Sequence, residues 1–315
     1  MLNINATSAA ENASPGTEVA HGVTSLTTIF ANVYFVGKPG APWILVDTGL
    51  PKFAGLIRRA ALRRYGAGAR PAGIILTHGH FDHAGSALDL ATAWDVPIYA
   101  HPLELPYLTG KSDYPPQDPT MGGAIAFMSR FFPHEGYNFG ARVRPLPEDG
   151  SVPGMPGWRW LHSPGHTPGH VSFFRDADRL LLAGDAVATT DMDSWAAQIT
   201  WSREFDRPPA PFTADWEAVH RSVEQLAALR PRTVTAGHGR PLAGPRVAEE
   251  LQRFAADFAP PRAGRYAGRP VQADENGLVS VPPRVPDPLP KRVAGAAVAL
   301  LMGAALVARV NRGRG

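Results

Sequence analysis

The stretch Thr77-His-Gly-His-Phe-Asp-His83 gathers three of the chain's 11 histidines, with one aspartate between them, into seven residues. On a helix, residues two apart point about 200° away from each other, whereas a loop leaving a strand can turn His78, His80 and His83 toward one point. Imidazole is a borderline ligand suited to Zn²⁺, Fe²⁺ or Mn²⁺, and the carboxylate of Asp82 adds negative charge that offsets a second cation. Two coordination shells need further ligands, and these must come from other strand ends. Three candidates stand just past predicted strands and beside glycine. They are His166 in Ser163-Pro-Gly-His-Thr-Pro-Gly-His170, Asp185 in Ala183-Gly-Asp185, and His238 in Ala236-Gly-His-Gly239. Glycine beside a ligand lets the backbone bend sharply and approach an ion closely.

The elements that must hold these loops read as mixed α/β grammar. Val33 to Val36 and Trp43 to Val46 are β-type runs around a turn-rich 37–42, which predicts a hairpin. A helix follows from Phe53 to Tyr65, a strand from Gly73 to Thr77, a helix from Ala84 to Trp94 and a strand from Val96 to Ala100. Later come Trp158 to Leu161, the hairpin of Val171 to Phe174 with Leu180 to Leu182, a helix from Ala214 to Leu229, and the strand Thr233 to Thr235. Hairpins interleaved with βαβ units imply two sheets with helices outside. No repeat of 20 to 50 residues interrupts this pattern.

Composition narrows the chemistry. With 44% hydrophobic and 19% charged residues, the 315-residue chain is not intrinsically disordered. It has no cysteine, which excludes disulfides, thiolate ligands, iron–sulfur clusters and a cysteine nucleophile. Lys and Arg total 31 against 28 acids, too small an excess for a nucleic-acid footprint, so no nucleic-acid partner is expected. No phosphate loop or dinucleotide fingerprint calls for an organic cofactor.

The motifs together resemble the metallo-β-lactamase superfamily. The order His78-x-His80-x-Asp82-His83, then His166, Asp185 and His238, is similar to that family's ligand order over about residues 20 to 245. Asn32-Val-Tyr-Phe-Val36 and Val46-Asp47-Thr48-Gly49 resemble its first strands, where an Asp matching Asp47 supports the histidine loop. The resemblance implies an αββα sandwich with two mixed sheets and a dinuclear site along one edge. By it, His78, His80 and His166 hold one metal, Asp82, His83 and His238 the other, and Asp185 bridges them. Zinc is the first expectation for the pair, with iron or manganese compatible.

Two divalent ions a few ångströms apart share a water, lower its pKa and present hydroxide to a carbonyl or phosphoryl centre, with Asp82 as the catalytic residue that orients it and shuttles its proton. The turn Pro164-Gly-His-Thr-Pro-Gly-His170 resembles the hydroxyacylglutathione hydrolase and lactonase branch, which implies a hydrolase of carboxylic esters, thioesters or lactones. His80, where the diiron oxygen-reducing branch has Glu, argues against that branch. Ala188 stands where quorum-signal lactonases commonly carry Tyr. The alternatives are a two-metal phosphodiesterase for RNA or a cyclic nucleotide, and a mononuclear iron persulfide dioxygenase.

The segment 102–139 carries Tyr107, Tyr114, Phe127, Phe131, Phe132, Tyr137 and Phe139, and reads equally as a lid over the metals, favouring a hydrophobic small-molecule substrate, or as an extra packed helix over 122–132. Trp195, Trp201, Phe205 and Phe212 are further candidates for the pocket lining, and His134 and His162 for substrate contact. His170 is expected to make structural hydrogen bonds. The expected organisation is a flexible arm over 1–19, the hydrolase domain over 20–258, a Pro-rich linker over 259–292, an apolar helix over 293–308 and a basic tail over 309–315. As a helix, 293–308 would be about 24 Å long, short of a bilayer core of about 30 Å, and fits either a weak membrane anchor or a docked helix. Met1 to Gly22 lacks the apolar run of a secretory signal, so a cytoplasmic location is expected, with a membrane tether if 293–308 anchors.

Overall fold

Alternation along each strand sets the layers. In β3 (Ala31–Val36), Val33 and Phe35 pack to one side while Tyr34 and Val36 pack to the other, as a period of two requires. A strand buried on both faces belongs in the middle of a layered fold, and burying each such side chain is worth roughly 1.5–3 kcal/mol. The computed structural model describes residues 16–287 except 201, and residue 289; of residues 198 and 199 it describes the backbone alone.

The first sheet runs β1 (Thr17–Ala20), β2 (Val23–Thr28), β3, β4 (Ile44–Val46), β5 (Gly73–Ile75), β6 (Ile98–Ala100) and β7 (Val143–Pro145) in chain order. Pairing is antiparallel as far as β4 and parallel from β4 to β7. The second sheet has the order β12 (Leu242–Ala243), β11 (Thr233–Thr235), β10 (Leu180–Leu182), β9 (Val171–Arg175), β8 (Trp158–His162). There β10 and β11 are parallel and the other pairs antiparallel.

Val33 and Phe35 meet Ile57 and Ala60 of α1 (Ala54–Tyr65) and Leu90 and Ala91 of α2 (Ala87–Trp94). Between the sheets, Tyr34, Val36 and Ile75 meet Phe173, Leu180 and Leu182. On the outer face of the second sheet, Leu181 and Val234 pack with two helices, α4 (Trp216–Ala228) and α5 (Val247–Ala256), which follow the short α3 (Gly123–Met128) in the chain. Helix α4 opens on Asp215, whose carboxylate accepts the Ala218 N–H at 3.0 Å and so satisfies one free donor of the first turn. Its Trp216, Val219, Val223 and Leu226 fall on one stripe facing the sheet. The result is the αββα sandwich that the resemblance implied.

Three boundaries differ from expectation. The predicted helix from Ala84 to Trp94 is two pieces, a single turn Phe81–Ala84 and then α2, with Ser86 between them donating to Leu50 O at 2.6 Å and accepting from Phe53 N at 3.1 Å. Residues 17–19 of the expected arm lie in β1, where Thr17 and Glu18 pair with Ser25 and Thr24 of β2.

The expected linker over 259–292 is corrected over 259–282. One compact unit reaches to residue 282, not 258, and residues 283–315 form a second, of which 283–287 and 289 are described. Within the first unit, Tyr266 is buried and donates to Pro116 O, Arg265 N donates to Asp118 Oδ2 at 2.5 Å, and Gln272–Asp274 (β13) pairs with Gly277–Ser280 (β14). Proline blocks regular helix and wide sheet, yet it leaves room for a short hairpin, and Asn276-Gly277 is a turn signal that the proline-rich composition hid. Among the described residues no helix is long and apolar enough to cross a membrane; 293–308 lies outside them.

Candidate metal centre

The loops that leave the C-terminal ends of parallel strands meet at one edge of the sandwich, the usual place for a site in such sheets. β5 feeds the loop with His78, His80, Asp82 and His83. β10 and β11 feed Asp185 and His238, and the β8–β9 connection supplies His166. All seven side chains are buried and converge. The ligand-type atoms of His78, His80 and His166 lie within 4.8 Å of one another, as do those of His78, His83 and Asp185, and those of Asp82, His83 and His238. Asp185 sits between the groups, with Oδ1 3.5 Å from His83 Nε2 and Oδ2 3.5 Å from His166 Nε2 and 3.1 Å from His238 Nε2. Asp82 Oδ2 is 3.5 Å from His238 Nε2 and 4.0 Å from His83 Nε2.

Hydrogen bonds fix which nitrogen of each ring faces inward. His83 Nδ1 donates to Asp47 Oδ2 at 2.9 Å, leaving Nε2 toward Asp185. His238 Nδ1 donates to Phe30 O at 3.0 Å. Thr213 Oγ1 gives its own hydrogen to Pro209 O and so accepts from His166 Nδ1 at 3.1 Å. Thr77 Oγ1 donates to Asp47 Oδ2 and accepts from His78 Nδ1 at 3.1 Å. Such partners set tautomer and ring orientation in metal-binding histidines. His80 presents Nδ1 instead, 3.0 Å from His166 Nε2. Asp47 also accepts the Thr77 N–H at 2.8 Å, so it supports the histidine loop from below.

The electrostatics of the cluster follow from burial and the two acids. Burial would raise Asp185, but His238 and His83 outweigh it and hold the carboxyl well below its usual range. Burial, reinforced by neighbouring imidazoles, keeps His78 and His166 well below their usual value and His80 down at about 3. His83 goes the other way: burial opposes its charge, and Asp185, Asp82 and Asp47 more than compensate.

Three buried atoms here have no hydrogen-bond partner, namely His78 Nε2, His83 Nε2 and Asp185 Oδ1. Buried polar atoms are as a rule satisfied, and these three are all of metal-ligating kind. The nitrogen and oxygen donor set, two of its imidazole nitrogens 3.0 Å apart, fits divalent cations. Gly237 is required by the crowding: a Cβ there would overlap Asp185 Oδ1 and approach His83 Cε1 at 2.5 Å.

Sequence reasoning missed the residue that ties the ligand loops together. Glu104, fully buried, accepts from Gly79 N at 3.0 Å and from the Tyr114 hydroxyl on one oxygen, and from Thr167 Oγ1 at 2.6 Å and Gly169 N at 2.9 Å on the other. One carboxylate thus clamps the His78–His80 loop to the His166 loop. Burial raises its pKa even against these four bonds. The signal was a lone acid in the apolar run Leu103-Glu-Leu-Pro-Tyr-Leu108. Thr213 was missed as well.

Above the cluster a small open pocket is lined by Phe30, Phe81, Ile125, Phe132, Pro209 and Phe212 beside the site residues. Among the described lining residues none is Lys or Arg. Within 102–139 the two readings divide: Tyr107, Leu108 and Tyr114 are core, while Ile125 of α3 (Gly123–Met128) and Phe132 form pocket wall. Of the other candidates, Phe212 lines the pocket, Trp195 stands exposed against Phe127 and does not line it, Phe205 packs against Phe254 in the outer core, and Trp201 lies outside the described residues.

His134 and His162 do not line the pocket; His162 stacks on His101 at 4.2 Å instead. His170 makes structural hydrogen bonds, its Nε2 accepting the Asp185 N–H at 2.8 Å and its Nδ1 donating to Ser163 O at 3.0 Å.

Comparison with known proteins agrees with this architecture. Residues 26–238 match the model of the metallo-beta-lactamase superfamily. The chain is 45% identical over 243 residues to the probable metallo-hydrolase YflN of Bacillus subtilis, covering 76% of this chain and 92% of that protein. It is 28% identical over 209 residues to a hydroxyacylglutathione hydrolase of Acidiphilium cryptum, covering 65% and 67%. A solved beta-lactamase domain protein from Burkholderia ambifaria shares the fold, with a TM-score of 0.52 at 22% identity over 76% of this chain and 75% of that one. The chain belongs to the metallo-β-lactamase superfamily.

Proposed function

We propose that this protein is a dinuclear metal-dependent hydrolase of carboxylic esters, thioesters or lactones. The observation that carries the reading is the Asp185 carboxylate lying between two ligand triads, 3.5 Å from His83 and His166 and 3.1 Å from His238. His78, His80 and His166 would hold one cation and Asp82, His83 and His238 the other, with Asp185 on both; zinc is the first choice for this donor set. Bound there, the pair supplies Lewis-acid polarisation of a carbonyl and a water acidified toward neutrality.

The chain's own residues do the rest. Asp82 lines the pocket, where it orients the attacking water, takes its proton and returns it to the leaving group. Phe30, Phe81, Phe132 and Phe212 exclude bulk water and receive the apolar part of an acyl group. A phosphodiester would bring a charge that no Lys or Arg among the described lining residues meets, which favours a carbonyl substrate. The likeness to a hydroxyacylglutathione hydrolase supports a thioester as one such substrate.

The test is metal analysis of the purified protein followed by a panel of p-nitrophenyl esters, thioesters, lactones and bis-p-nitrophenyl phosphate. Expected are two metals per chain and turnover of carbonyl substrates, reduced about a hundredfold or more in His80→Ala. Turnover unchanged in that variant on every hydrolysed compound, or confined to the phosphodiester, would defeat the reading.

A further inference from the structure

Part of the pocket wall is packed apart from the cores of the sandwich. Ile125 of α3 meets Ala188 and Met192, with Phe132 and Phe212 against them, and this small cluster is separate from those that fill the space between the sheets and under the outer helices. Ile125, Phe132 and Phe212 all line the pocket. A cluster this small gains little from burial against the cost of ordering its backbone, so polar ties must help to hold it.

Those ties run through two consecutive side chains. Gln117 Nε2 donates to Ser129 O at 2.7 Å and to Phe132 O at 2.6 Å, which fixes the turn that carries Phe132. Asp118 reaches the other two pieces. Its N–H donates to Pro211 O at 2.8 Å, beside Phe212. Its Oδ1 accepts the Thr120 N–H at 3.0 Å and the Thr120 hydroxyl at 2.6 Å, capping the turn Pro119–Met121 that leads into α3.

The remaining oxygen of Asp118 is held from outside. Asp118 is buried, and its Oδ2 accepts the Arg265 N–H at 2.5 Å. The next residue, Tyr266, is buried as well and donates to Pro116 O. Gly264 lets the two segments close up: its φ is +120°, and a Cβ there would overlap Met121 Sδ and stand 2.9 Å from Asp118 Oδ2. Residues 264–266 thus lie as a strap across 116–118, and 116–118 in turn hold the pieces that bear Ile125, Phe132 and Phe212. A buried carboxylate must be satisfied on both oxygens, and Asp118 takes one set of partners from the wall and the other from the strap.

We infer that Asp118 is a positioning residue for the substrate: clamped by the strap 264–266, it sets the place of the pocket wall and hence which acyl groups the pocket admits. Its side chain does not line the pocket, so it acts through Ile125, Phe132 and Phe212. The inference rests on the hydrolase reading and deepens it, because selectivity is then governed from a segment that touches no metal ligand.

The test begins with amide hydrogen exchange on the metal-free full chain. In Asp118→Ala the amides of 119–132 should exchange at least about tenfold faster than in the wild type, while those of β9 and β10 keep their rates. Tyr266→Phe removes a single hydrogen bond and serves where Asp118→Ala fails to fold; it should speed the same amides about threefold. The metal-loaded protein is then assayed with p-nitrophenyl acetate, butyrate and benzoate. KM for the ester that the wild type prefers should rise about tenfold in Asp118→Ala and about threefold in Tyr266→Phe, and the preference among the three should level, with kcat within about twofold and metal content unchanged. Asp118→Asn, which keeps one accepting oxygen, should fall between Asp118→Ala and the wild type in both measurements.

Exchange over 119–132 unmoved by both Asp118→Ala and Tyr266→Phe overturns the inference. So does faster exchange with KM and preference unmoved, which would leave the strap a role in stability alone. Loss of kcat together with metal content would assign Asp118 to the metal floor and overturn it too. If no ester reacts, the hydrolase reading fails separately, and the exchange rates still decide whether Asp118 holds the wall.

Discussion

On the floor of the pocket, four of the five converging imidazoles have their outward nitrogen tied to an oxygen, of Thr77, Asp47, Thr213 or Phe30. Along its walls, Phe30, Phe81, Ile125, Phe132 and Phe212 present only apolar side chains. The floor is over-determined, because a cation tolerates little error in ligand direction and each ring needs a second contact to set its tautomer. The walls need only to be apolar and in place. Chemistry and selectivity are thus carried by parts of the molecule held by different forces, and damage to one should leave the other largely intact.

The strongest way to break that separation is through Glu104, which joins two floor loops. Glu104→Ala strands four buried donors, on Gly79, Tyr114, Thr167 and Gly169, and should cost about 3–5 kcal/mol in denaturant unfolding. Metal content measured on the same samples should drop with it; an unchanged metal content would mean that the two loops hold their places without the clamp.

Thr213→Val is gentler, since it frees the His166 ring without opening a cavity. Metal affinity by competition with a chelator should weaken roughly tenfold while the unfolding midpoint of the metal-free protein barely moves. Phe132→Ala sharpens the contrast from the wall side, with metal affinity unchanged.

Acid offers a smaller and graded test. His101 Nδ1 accepts the Leu103 N–H at 3.2 Å at the start of the turn that presents Glu104, and burial together with His162 lowers its pKa to about 4. The unfolded chain takes up this proton near pH 6.5 and the folded one only near 4, so the contribution is complete above about 6.5 and is lost as pH falls toward 4. Tm of the metal-free protein should therefore drop more steeply from pH 7 to 5 than in His101→Asn, and parallel profiles would refute it.

The floor was legible in the sequence to the extent that its ligands are local. His78, His80, Asp82 and His83 share one loop, and His166, Asp185 and His238 each follow a short apolar strand beside glycine, a pattern that geometry imposes. The layered fold was legible for the same reason, since strands such as Ala31–Val36 and Leu180–Leu182 are apolar on both faces. Glu104 and Thr213 were not, because the bonds that tie them to the ligand loops reach residues 25 to 65 positions away, which no local pattern encodes. The hairpin at 272–280 was masked by prolines that set its neighbours' backbone without deciding its pairing.

Because His78, His80, Asp82 and His83 hang from the first sheet and His166, Asp185 and His238 from the second, any cation they share would act as a rivet through the sandwich. A chain without cysteine has no covalent means of clipping its halves together. Ion uptake would then be felt as cohesion of both layers at once, and stripping the ions would slacken the whole body before it silenced any one loop.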